Sequence, residues 1–113
     1  MSLNDALKTM RDAIAALNLD GVTIRHYWRA ALKPPFLIWS ETGDDDSQWG
    51  DNHLVYRNIA GTLDYFTKTE FDTAVDDIEA MFDALGCSWS LSDVLYEEDT
   101  NLIHYSWVWN MGA

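Results

Sequence analysis

At 113 residues the chain is sized for one domain around a single core. Its 19 acids against 7 bases give a formal charge of −12, which argues against a surface built to grip nucleic-acid phosphates or an anionic membrane. No run approaches the roughly 20 apolar residues that span a bilayer, and the opening MSLNDALKTM lacks a basic leader, so an intracellular origin is expected.

The plain explanation of so many acids is solubility. Aromatic content points elsewhere: six tryptophans and five tyrosines are many for this length, and large amphipathic aromatics are favoured where one surface packs on another. The single cysteine, Cys87, cannot form an internal disulfide or a metal cluster alone, and it sits at an expected strand start.

In chain order, Leu3, Leu7, Met10, Ile14 and Leu17 step by four and three, which predicts an amphipathic helix closed by the turn signal Asp20-Gly21. Val22, Ile24, His26 and Trp28 then alternate with polar neighbours, as in a half-buried strand. Lys33-Pro34-Pro35 forces a connection, and Phe36 to Trp39 follows as a short apolar strand inside the sheet. Glu41 to Asn52, with two glycines and four aspartates, reads as the longest exposed loop, with Trp49 as its anomaly.

A long strand is expected from His53 to Thr67, with Val55, Ile59, Leu63 and Tyr65 on its drier face. Thr67 and Glu70 have capping-box spacing, so a helix is expected to begin near Thr69. It would bury Phe71, Val75, Ile78, Phe82 and Leu85 and stop at Gly86. Two strands close the chain as a hairpin. In the first, Trp89, Leu91 and Leu95 are expected to face away from Ser90, Ser92 and Val94; in the second, Ile103, Tyr105, Trp107 and Trp109 share one side. The expected fold is α+β, a single domain of order α-β-β-β-α-β-β, with two helices on a mostly antiparallel sheet.

Chemistry is thinly marked. The glycine-rich nucleotide loops and the nucleophile elbow are missing. Asp44, Asp46 and Gln48 have the spacing of a calcium loop, but Trp49 stands where that loop needs glycine and Val55 where it needs the closing acid. His26, His53 and His104 fall on expected strands and could share a metal only if the fold joined them. Nothing places Cys87 beside a histidine or lowers its thiol pKa. No catalytic, metal or cofactor residue is therefore assigned, and an enzyme is not expected.

Pro35-Phe36-Leu37-Ile38-Trp39, the acidic gap, Asp51-Asn52, Leu63-Asp64-Tyr65-Phe66-Thr67-Lys68 with its acidic helix, Tyr96-Glu97-Glu98 and His104-Tyr105-Ser106-Trp107 make a pattern that spans nearly the whole chain. It resembles the tail terminator and tail-completion (head-tail joining) proteins of long-tailed bacteriophages and prophages. The resemblance implies a structural homo-oligomer, a ring of typically six copies that caps the tail tube and meets the head connector. It implies assembly in the host cytoplasm and residence in the virion, with DNA passing through without tight binding and no membrane partner. Asp44, Asp45, Asp46, Trp49, Asp51, Trp39 and Tyr56 are the candidate assembly-interface residues. The alternative is a small bacterial module that captures a peptide or small ligand on an aromatic sheet face.

Overall fold

A computed structural model describes residues 2–27, 31–44, 48–50, 53–56 and 58–112, with residues 44, 48–50 and 53–56 described by backbone alone. The elements are α1 (Leu3–Ala16), β1 (Thr23–His26), β2 (Phe36–Asp44), β3 (Gln48–Gly50), β4 (His53–Tyr56), β5 (Asn58–Thr67), α2 (Thr73–Leu85), β6 (Ser88–Glu97) and β7 (Leu102–Gly112). The main sheet has five strands in the order β1-β2-β5-β7-β6, and β3 and β4 form a separate two-stranded ribbon. Only the β1–β2 pairing in the main sheet is parallel. The chain is thus an α+β domain with a mostly antiparallel sheet, as the periodicities predict.

Both helices cover one face of the sheet. From α1 come Ala6, Met10 and Ile14; from α2 come Ala74, Ile78, Met81 and Phe82. They meet Leu37, Trp39, Leu63, Tyr65, Trp107 and Trp109 in one apolar cluster. Register explains why these strand residues cooperate: Trp39 lies opposite Leu63, and Leu63 opposite Trp107, so their side chains share the helix-covered face. The indole of Trp109 crosses the backbone of Gly61, where a Cβ would stand 2.1 Å from the ring. A smaller cluster of Phe36, Ile38, Phe66 and Leu102 sits on the outer face beneath Leu32.

Local chemistry moved several element boundaries. Ser2 caps α1 and closes a box with Asp5: its Oγ accepts from the Asp5 N–H at 3.1 Å, and its own N–H donates to Asp5 Oδ2 at 3.4 Å. Those bonds lower the Asp5 pKa, the side-chain bond to Ser2 most of all.

The second helix starts four residues later than the Thr67–Glu70 spacing suggests, because Asp72 is the better cap. Asp72 Oδ1 accepts from the Ala74 N–H at 2.9 Å, and Oδ2 accepts from Tyr65 at 2.7 Å and Thr67 at 2.8 Å. Thr67, instead of capping the helix, uses its Oγ1 to accept from the Thr69 N–H and to donate to Asp72. Phe71 consequently lies outside the helix, at φ 57° and 88 % exposed, and does not pack on the sheet as its spacing implied.

The expected exposed loop is also corrected. Backbone pairing, which does not require apolar side chains, continues β2 through Asp44 opposite Ile59, with a bulge between Glu41 and Gly43, and pairs Gln48–Gly50 with β4. Likewise the expected strand from His53 to Thr67 is two strands in different sheets.

Candidate assembly surface

One edge of the main sheet, β6, is exposed. This strand pairs with β7 on one side, and among the described residues no strand pairs on the other. Residues 90–101 are all exposed, and Leu91, Val94, Leu95 and Tyr96 are 44, 48, 50 and 59 % exposed. A long open edge carrying apolar side chains is the kind of surface that soluble chains either protect or use for association.

A bulge shapes this edge. The register shifts between Leu91 and Asp93, so that Leu91 lies opposite Trp107 while Val94 lies opposite Tyr105. Val94 therefore joins Trp89 and Leu91 on the helix-side parity, and Leu95 joins Ser90 on the outer face. This reverses the expected placement of Val94 and Leu95, since each extra residue flips the alternation beyond it. Before the bulge, β6 is tied to α2, with Trp89 Nε1 donating to Asp83 Oδ1 at 2.8 Å. Beyond it, the local restraints lie in the turn: Tyr96 donates to Asn101 Oδ1 at 2.9 Å, and Thr100 donates to Glu97 at 3.3 Å.

Of the expected interface residues, the described ones lie on other strands. Trp39 is 2 % exposed, inside the core with His26 stacked on it at 3.8 Å, so its indole offers no face to a neighbour. Asp44, Trp49 and Tyr56 lie on β2, β3 and β4, where their backbones pair with Ile59, Leu54 and Gln48. Asp45, Asp46 and Asp51 lie outside the described residues, and so does the side-chain geometry of the calcium-like spacing. The aromatic surplus serves the interior more than the surface: Trp39, Trp107, Trp109, Tyr65, Phe66 and Phe82 are all buried.

His26 and His104 do not converge. His26 points to the helix-covered face with Trp39, its Nε2 2.8 Å from Glu41 Oε2. His104 points to the outer face, stacked on Phe66 at 4.0 Å with Nε2 2.8 Å from Asp64 Oδ1. Each imidazole is held by a carboxylate and an aromatic ring, on opposite sides of the sheet. The side chain of His53 lies outside the described residues. Burial pushes the Cys87 thiol up to about 11, which leaves it protonated and unreactive at neutral pH.

A scan against family models found no match for the chain, and a comparison with curated proteins found none either.

Proposed function

We propose that the chain is a structural subunit that assembles with copies of itself, of the tail-terminator or head-tail joining type that its sequence pattern resembles. The observation that carries this reading is the open β6 edge, apolar on both of its faces from Leu91 to Tyr96. Burying such a strand against a neighbour removes apolar area from water and satisfies its outward backbone groups together. The α+β architecture supports it as well, since a small α+β subunit is what the resemblance implies.

In this role the subunit forms a ring at the end of a tail tube, beside the tube and head-connector proteins, and DNA passes through its centre. The acidic balance suits a passage that must not hold phosphates. Imaging of the purified protein by negative-stain electron microscopy tests the proposal. Particles with a central hole are expected; a field of single small globules at micromolar protein would overturn it.

A further inference from the structure

The main sheet has two ends, β6 and β1, and their surfaces differ in charge. Beyond its bulge, β6 and the turn after it carry Asp93, Glu97, Glu98 and Asp99, with no cation between Ser88 and Asn101. The β1 end carries three of the chain's seven cations: Lys8 and Arg11 of α1, beside Asp5 and Asp12, on its helix-covered side, and Arg25 of β1, opposite Ile38, on its outer side. Arg11 pairs with Asp12 at 2.9 Å, whereas among the described residues no ion pair engages Lys8 or Arg25.

Shape adds to charge. A groove runs between α1 and the β1 edge, lined by Leu7 and by Tyr27 stacked on His26, with Lys8 and Arg11 at its rim. Tyr27 is held at φ 70°, a backbone region that bulky residues rarely adopt, and the residue is 59 % exposed with its ring stacked on His26 at 3.7 Å. The surface is therefore an aromatic recess with a cationic rim. The β6 segment is an apolar ridge, Val94-Leu95-Tyr96, with acids before and after it. Like ends do not match, because two β6 edges would face acids with acids.

We infer that the β6 edge of one copy docks on the β1–α1 end of the next, with Val94 and Tyr96 over the groove and its Lys8 and Arg11 rim, and with Asp93 and Glu97 facing Arg25 on the outer side of the sheet. This rests on the reading of the chain as a self-assembling subunit and names the surfaces that it uses. Because the two surfaces differ, the contact is head-to-tail. Such contacts repeat until the rotation closes a ring or the chain of copies runs on.

Two charge-reversed variants test the inference by sedimentation velocity, with circular dichroism confirming the fold of each. One variant, Asp93→Lys/Glu97→Lys, blocks the β6 end; the other, Lys8→Glu/Arg25→Glu, blocks the β1 end. Each alone is expected to lose association by at least about tenfold. Mixed in equal amounts, the two restore opposite charges at every contact, Lys against Glu at one and the native pair at the next, and are expected to regain assemblies in which the variants alternate. For wild type, association should weaken several-fold between about 0.05 and 0.5 M salt, a readout that needs no variant. Wild type that assembles while either folded variant assembles equally well would overturn this contact and leave the subunit reading standing, and so would salt-independent assembly. A mixture that stays monomeric would also overturn it. Wild type that is monomeric throughout would overturn both.

Discussion

The Tyr65 hydroxyl donates to Asp72 Oδ2 at 2.7 Å, joining the buried end of β5 to the residue that starts α2. Thr67 donates to the same oxygen at 2.8 Å, and the other carboxylate oxygen caps the helix at the Ala74 N–H. One carboxylate thus sets where the helix begins and holds it to the sheet. Burial opposes the charge on Asp72, but the bonds from Ala74, Tyr65 and Thr67 outweigh it and hold the pKa below its ordinary value. Burial first, and then the Asp72 carboxylate, push the Tyr65 pKa up.

Asp72→Ala should therefore cost on the order of 2–4 kcal/mol, combining a lost cap with buried hydroxyls left without their acceptor. Urea titration measures it. The same geometry gives a pH dependence. A carboxylate whose pKa is lower folded than unfolded contributes stability that is fully present above the unfolded value, near 3.9 for aspartate, and is lost as pH falls through the folded value. The difference in stability between wild type and Asp72→Asn should accordingly shrink as acid is added below about pH 4.

The boundary at Asp72 also shows what sequence spacing can and cannot carry. Apolar steps of three and four located both helices, because burial of one face is a local pattern: Met10 and Ile14 in α1, Ile78 and Phe82 in α2. The choice between Thr67 and Asp72 as cap was not local, since it depends on Tyr65 and Thr67 converging on Asp72 from β5. The β6 bulge was hidden for a similar reason, as a register shift exists only relative to β7. The exposed β6 edge has one signal in the sequence: Leu91, Val94, Leu95 and Tyr96 place apolar residues on both parities of a hairpin strand. The acidic stretch from Glu41 misled because its composition suggests a loop, whereas pairing of β2 with β5 needs only backbone.

Phe82 is fully buried against the sheet, stacked on Trp89 at 6.0 Å and tilted against Trp107 at 6.5 Å between ring centres. Phe82→Ala should destabilise the fold by about 3–5 kcal/mol. Phe71→Ala, at the position with the same periodicity but 88 % exposed, should change stability by less than about 0.5 kcal/mol. The pair of denaturant midpoints checks both.

At Gly61 an added Cβ would stand 2.1 Å from the Trp109 ring and 2.5 Å from the Ser40 carbonyl oxygen. The backbone of β2 cannot yield as a side-chain tip does. Gly61→Ala should therefore cost about 1–3 kcal/mol or more and shift the tryptophan fluorescence, since Trp109 must move.

The Trp107 indole N–H, on a fully buried side chain, donates to Glu79 Oε2 at 2.9 Å. Glu79→Ala should cost about 1–3 kcal/mol by leaving that donor unpaired. Glu79→Gln, whose amide oxygen still accepts, should recover most of the loss. Equal losses in the two variants by thermal denaturation would show that this bond contributes little.

Duplex DNA should bind no better than background at physiological salt. With 19 acids and 7 bases per copy, counterion release, the main driving term of sequence-independent binding, is not available in net. Fluorescence anisotropy with a labelled duplex checks it; micromolar binding that weakens steeply with salt would mean that Lys8, Arg11 and Arg25 serve phosphates instead of a second copy.

The central claim, that this chain is built to assemble with itself, is tested most directly by the mass of the native particle in solution. Light scattering coupled to size exclusion, at several loading concentrations near physiological salt, gives that mass without a label or a surface. A discrete multiple of the chain mass that persists on dilution is the predicted result. A single-chain mass at every concentration up to about 100 µM, where even a contact as weak as roughly −6 kcal/mol would show, would contradict it.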